Sequence, residues 1–205
     1  MKNFLYLIVI ALLVGACSIE QEIRFNSDWS GNSKMVVNST FLKDFGLDSA
    51  AENGNPLFQD STILQTSEVL NSIEGISNVE IHDDENGALV ASYDFSGVAA
   101  LNESMNSAES TPTKSKEHDY FIIKGKTITY KMPPLGVDST EMESFKMMSS
   151  MMKFKLTLMF SNQIKKLNTD NGAIIGEDKK SVIWEPPFAS LVNGEVDPTI
   201  EVVLK

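Results

Sequence analysis

"MMKFKLTLMF", residues 151–160, is the stretch on which the fold turns. Met152, Phe154, Leu156, Leu158 and Phe160 share one parity, and Lys153, Lys155 and Thr157 take the other. Successive side chains of a pleated strand leave opposite faces, so an apolar set repeating every second residue marks a strand with one face buried. Such a strand needs neighbours.

The rest of the chain supplies them. "SIEQEIRFNSDWSGNSKMVVNSTFL", residues 18–42, reads as two strands around a turn, with Ile19, Ile23 and Phe25 on one parity and Asp28-Trp29-Ser30-Gly31 as turn chemistry. "ISNVEIHDDENGALVASYDFSG", residues 76–97, is a hairpin signal: Ile76, Val79 and Ile81 lead in, Asn86-Gly87 turns, and Leu89, Ala91, Tyr93 and Phe95 alternate on the way out. A third hairpin, "DYFIIKGKTITYKMP", turns at Lys124-Gly125-Lys126, and "GAIIG", "KSVIWEPPF" and "TIEVVLK" add short strands.

Helices are fewer. "TSEVLNSIEG" offers Thr66 or Ser67 as a cap, Val69, Leu70 and Ile73 at helical spacing, and Gly75 as a stop. "VAALNESMNS" is a second helix, and residues 139–150 a third. Residues 43–62 read as irregular connection, and 106–118, with no large apolar residue, as a mobile loop. Hairpin links dominate, which predicts an α+β fold: an antiparallel-rich sheet with two to three helices packed on one face.

The amino-terminal segment has a different character. Phe4 to Ala16 is an apolar run after the basic Lys2, too short to span about 30 Å of hydrocarbon and followed at once by polar residues. That is the layout of a secretory leader. Val14-Gly15-Ala16-Cys17 resembles the lipobox of bacterial lipoproteins, and Cys17 is the one cysteine in the chain. The resemblance implies cleavage after Ala16, a diacylglyceryl thioether on Cys17 and acylation of the freed amine. A thiolate is the side-chain nucleophile suited to that alkylation, and two or more acyl chains anchor stably where one does not. The alternative is an ordinary leader with a cysteine close by. The expected organisation is therefore a leader at 1–16 and one α+β domain at 17–205, its first strand only a residue or two from the anchor. With Ser18 rather than Asp after the cysteine, the sorting pattern of Gram-negative lipoproteins implies the outer membrane within the cell envelope.

Composition sets limits. The formal charge is −11, one unit more negative once Lys2 is lost. An acidic surface repels phosphate backbones and excludes nucleic acid as a partner class. With Cys17 acylated no disulfide can form. No GxSxG elbow, phosphate loop or HExxH helix is present, so no catalytic residue, metal or cofactor is assigned. His82-Asp83-Asp84-Glu85 alternate across a strand and turn and do not converge. Asn26 to Gly31 matches the first half of a calcium loop in outline, but Val37 stands where the bidentate Glu belongs. Asp83 to Gly87 and Asn168 to Gly172 are similar turns.

Two features suggest binding. Seven of the ten methionines lie between Met132 and Met159, with Met147/Met151 and Met148/Met152 four apart. Core filling is the plain reading; a plastic apolar groove or a Cu(I) site are the alternatives. "IWEPPFASL", residues 183–191, forces an extended path at Pro186-Pro187, with Trp184 and Phe188 capping the core or forming a lip. Met148, Met151, Met152, Trp184 and Phe188 are the candidate groove residues.

The Asp28–Gly31 turn just after the cysteine, together with Trp184–Phe188 before a last strand, resembles the LppM-like domain family. "EGISNVEIHDDENGALVASYDFSGVAALN" is similar to envelope lipoproteins of Bacteroidota-like bacteria. The resemblance implies a small α+β envelope domain, with lipid or glycolipid binding as in the family's type member; no binding residue carries over. The functional expectation is a non-enzymatic, lipid-anchored binding or assembly-support module, partnered by the membrane and an envelope protein. The alternative is a lipid or amphiphile carrier using the Met-rich groove.

Overall fold

The computed structural model describes residues 17–39, 60–85, 88–108, 118–133, 149–150 and 152–205. The leader with Ala16, most of the 43–62 connection, the Asn86-Gly87 turn, most of the 106–118 loop, most of the 139–150 helix with Met148, and Met151 lie outside them.

The expected hairpin forms from β1 (Cys17–Phe25) and β2 (Gly31–Ser39). Its turn is tied by Asn26 N donating to Ser30 O at 2.8 Å, with Trp29 in the left-handed region at φ 67°. Its ring meets Phe25 at 6.2 Å, which offsets the strain of a bulky residue there. Gly31 has a packing reason: a Cβ would run into the Arg24 carbonyl and the Phe95 ring.

Helix α1 spans Asp60–Ser72, starting earlier than the cap expected at Thr66 or Ser67. Asp, Ser and Thr suit a helix start as well as a loop, so the polar run at 60–62 did not show that the helix already runs there. Gly75, at φ 87°, ends the element, and a Cβ there would collide with Ser96 Oγ. β3 (Ile76–Asp83) and β4 (Leu89–Phe95) pair as expected, with a bulge between Ser77 and Glu80. α2 (Val98–Ala108) follows, so residues 106–108 belong to a helix rather than to the expected loop.

β5 (Phe121–Lys124) and β6 (Thr127–Lys131) make the third hairpin, turning at Gly125 with φ 62°. β7 (Met152–Phe160) shows the alternation read from its sequence: Phe154, Leu156, Leu158 and Phe160 are buried. The sequence reading lacked β8 (Ile164–Leu167), whose IKKL carries too few apolar positions to show a period. β9 (Ile174–Ile175), β10 (Ser181–Trp184) and β11 (Thr199–Leu204) match the remaining strand signals. A short α3 (Phe188–Val192) starts directly after Pro187, where a wholly extended path was expected. Proline is excluded from a ladder but suits the residues that precede and open a helix.

The fold is α+β. Among the described residues the strands divide between two sheets: β3-β4-β2-β1-β7-β10-β9, and β5-β6-β11-β8. All strand pairs are antiparallel except β1 with β7, which run parallel from Cys17↔Met152 to Phe25↔Phe160. The sheets meet through aromatic rings. Phe25 of β1 lies 5.4 Å from Phe121 of β5, 5.7 Å from Phe95 and 5.6 Å from Phe160, stacked on the last. Each such pair adds about 0.5–1.5 kcal/mol beyond area burial. One apolar cluster takes side chains from both sheets and from α1, α2 and α3.

α2 also seals a sheet edge. Asn102 Nδ2 donates to Phe121 O at 2.9 Å while Phe121 N donates to Asn102 Oδ1 at 2.8 Å, copying a strand partner on the free side of β5. One turn on, Asn106 repeats the pattern with the His118 backbone at 2.9 Å for both bonds. The helix so occupies donors and acceptors that would otherwise invite another chain.

Candidate functional site

Cys17 is part of β1. It is in register with Ser39 on one side and Met152 on the other, so no spacer separates the cysteine from the folded body.

Beside it lies an open groove of about 520 Å³, between the first residues of β1 and β7 and the segment leaving β10. Its walls combine Ile19, Met152 and Phe154 with Glu20, Lys153, Lys155 and Glu185, closed by Pro186-Pro187. The parallel register sets Ile19 beside Phe154 and Glu20 beside Lys155. The prolines explain the opening. They cannot continue the β10 ladder, so the chain peels from the β7 ladder after Trp184 and pairs with it again at a bridge of Lys153 with Pro187.

Lys155 Nζ lies 3.0 Å from Glu185 Oε1. That hydrogen bond, then the Glu185 charge, hold the Lys155 ammonium above its ordinary pKa, with a smaller push from Glu20. It stays cationic throughout the physiological range. Both side chains are substantially exposed, so the pair adds little stability and leaves its charges open to a ligand.

The groove continues onto the outer face of the large sheet, an open concavity of about 690 Å³ that shares Glu20 and Lys155 with it. There Glu22 faces Lys34 across β1 and β2, Arg24 pairs with Glu22 at 2.7 Å, and Val36 and Ile183 are half-buried among the charges. Acidic residues of β1 thus run between basic ones of β2 and β7, as cross-strand pairing favours.

The candidate groove residues separate. Met152 is half-buried and lines the groove. Trp184 is fully buried and donates Nε1 to Asn171 O at 3.0 Å. Phe188 is buried against Phe154, 6.5 Å away, so both aromatics cap the core. Ser18, Ile19, Glu20 and Glu185 were not in the sequence-derived set; only the β1–β7 register brings them together, and no local pattern encodes it.

The acidic turns are accounted for by their own hydrogen bonds. Asp28 Oδ1 accepts from Ser30 Oγ and N, which lowers its pKa. Asp178 accepts from the Lys180 and Ser181 backbone and from Ser181 Oγ, with the same effect. Asp84 Oδ1 accepts from Ala88 N at 2.8 Å. In the Asn168–Gly172 turn, Thr169 and Asn171 donate to the Thr199 carbonyl and stitch the loop to β11. Among the described residues no group of three His, Cys, Asp or Glu could hold a metal ion, and no helix is long and apolar enough to cross a membrane.

The NMR structure of the folded domain of LppM from Mycobacterium tuberculosis is similar to this chain, with 14% identity, a TM-score of 0.46, and 93% of this chain and 90% of that one covered. A likeness of that size decides neither fold nor function. No protein-family model and no curated protein matches the chain.

Proposed function

We propose that this is a non-enzymatic, lipid-anchored cell-envelope protein whose α+β body is a binding or assembly-support module held close to the bilayer. The observation that carries the reading is the pairing of Cys17 within β1: the residue that the leader pattern marks for acylation is already part of the sheet. The envelope and the outer membrane in particular follow from the leader and from Ser18, and are part of the proposal.

The groove and the charged sheet face supply the contact surface. The groove volume lies within the usual range of roughly 300–1,000 Å³ for ligand sites. Four charged residues in an open groove suit a polar partner such as an extended polypeptide better than an acyl chain, whose burial would strip those charges of water. The carrier reading rests on Ile19, Met152 and Phe154, which give one wall an apolar character.

Two measurements test this. Intact mass of the membrane-extracted protein should show a chain starting at Cys17 with a diacylglyceryl group and an amine-linked acyl chain, and Cys17→Ser should move the protein to the soluble fraction. A photo-crosslinker at Lys155, in intact cells, should capture a defined envelope protein that Glu20→Lys releases. Native mass spectra of the Cys17→Ser protein showing bound amphiphile in place of a protein adduct would favour the carrier. Substrate turnover abolished by one substitution would refute the non-enzymatic reading.

A further inference from the structure

Among the described residues, the side chains on the core-side face of the large sheet are buried more fully at one end than at the other. At the end far from Cys17, Phe25, Phe95, Phe160 and Ile23 are buried, and Ser33 with them. Two to four residues nearer Cys17 on β2 and β4 the cover thins. Met35 is 37% exposed, and Val37, Leu89 and Ala91 are only half-buried, as is Ile19 on β1 and Ile81 on β3. The registers put these residues side by side: Gln21, Met35, Ala91 and Ile81 in one row; Ile19, Val37 and Leu89 in the next, with Asp83 at its edge.

Position relative to the anchor says what meets this patch. A strand rises about 3.3 Å per residue, so the Ile19 row lies about 7 Å from Cys17 and the Met35 row about 13 Å. The interfacial layer between hydrocarbon and water is about 5–8 Å thick on each side of a bilayer. With no spacer after Cys17, a glyceride seated in the membrane brings the first row of the sheet into that layer.

We propose that the Cys17 end of the large sheet is itself a membrane-seating surface, with Val37 and Leu89 resting in the bilayer interface around the anchor and Met35 at its water-side margin. The inference rests on acylation of Cys17 and deepens that reading: the lipid fixes the orientation of the body as well as its location. The groove then opens next to the membrane, and the Asp28–Ser30 turn points away from it. The acidic Asp83-Asp84-Glu85 segment borders the same end, so a zwitterionic surface suits it better than an anionic one.

The test uses the mature lipoprotein in phosphatidylcholine vesicles. Because Cys17 is consumed by lipid, an introduced cysteine is the single labelling site. Met35→Cys and Leu89→Cys carry an environment-sensitive fluorophore, and Ser30→Cys serves as the distant control. Doxyl-labelled lipids should quench the probes at 35 and 89 at least threefold more than the probe at 30, and 30% phosphatidylglycerol should reduce that quenching. Equal quenching at all three positions, on protein whose mass shows the glyceride present, would overturn the seating and leave the anchor standing. A mass without the glyceride would overturn both.

Discussion

The two ends of the large sheet use the same strands and the same side-chain parity, yet they are built for different neighbours. At the far end, Phe25 sits among Phe95, Phe121 and Phe160 and joins both sheets. At the Cys17 end Met35 is 37% exposed and Val37 is only half-buried. Alternation marks which face is apolar; it does not say what lies against that face. One end is core, and the other is surface with the composition of core.

Truncation should separate the two ends most sharply. Phe25→Ala removes a buried ring shared by both sheets and should cost about 3–5 kcal/mol, whereas Met35→Ala should cost less than about 1 kcal/mol. Urea midpoints of the two variants measure this. Equal losses would break the comparison and make the Cys17 end core as well.

Next in size is the seal on β5. Asn102→Ala leaves the Phe121 N–H and C=O without their side-chain partner and should cost about 1–3 kcal/mol. Asn106→Ala, at the more exposed His118 contact, should cost less. Size-exclusion chromatography should show self-association of the Asn102 variant, since its strand edge is opened.

Acid should act through Asp94 and the turn carboxylates. The Asn78 amide, then the Asn32 amide, hold Asp94 below the ordinary carboxylate pKa, and Asp28 and Asp178 are lowered by their turn donors. A pKa lower folded than unfolded contributes stability above the unfolded value of about 3.9, and that stability is lost as pH falls through the folded value. The urea midpoint should therefore drop on going from pH 5 to pH 3, and Asp94→Asn should shrink the drop while lowering the midpoint at pH 7.

The smallest effect belongs to the groove. Lys155→Ala should change stability by less than about 1 kcal/mol, an amount that salt reduces further. A double-mutant cycle with Glu185→Ala at two ionic strengths would show it. A coupling well above that figure would make the groove mouth a structural feature of the fold.

Much of this was legible one segment at a time. The parity of Met152 to Phe160, the turn residues of the three hairpins and the spacing in VAALNESMNS are local properties, and the elements formed where they pointed. The misses also have local causes. Asp60-Ser61-Thr62 fits a loop as well as a helix start, IKKL is too short to show a period, and a proline pair that stops a strand can open a helix. Of the groove residues, Met152 lines the wall, while Trp184 and Phe188 point into the core that their size favours.

From the sequence alone came the identity of each strand's apolar face, the acidic surface, the turns and the leader pattern ending at Cys17. The tertiary structure alone decided that β1 and β7 lie side by side and parallel, that the strands divide into two sheets, and that the apolar face of the first is less buried toward Cys17. The physical reason is range. Parity and turn chemistry act between neighbours in the chain, but strands more than a hundred residues apart pair according to how the assembled core closes around Phe25, and only that closure leaves a groove at one end.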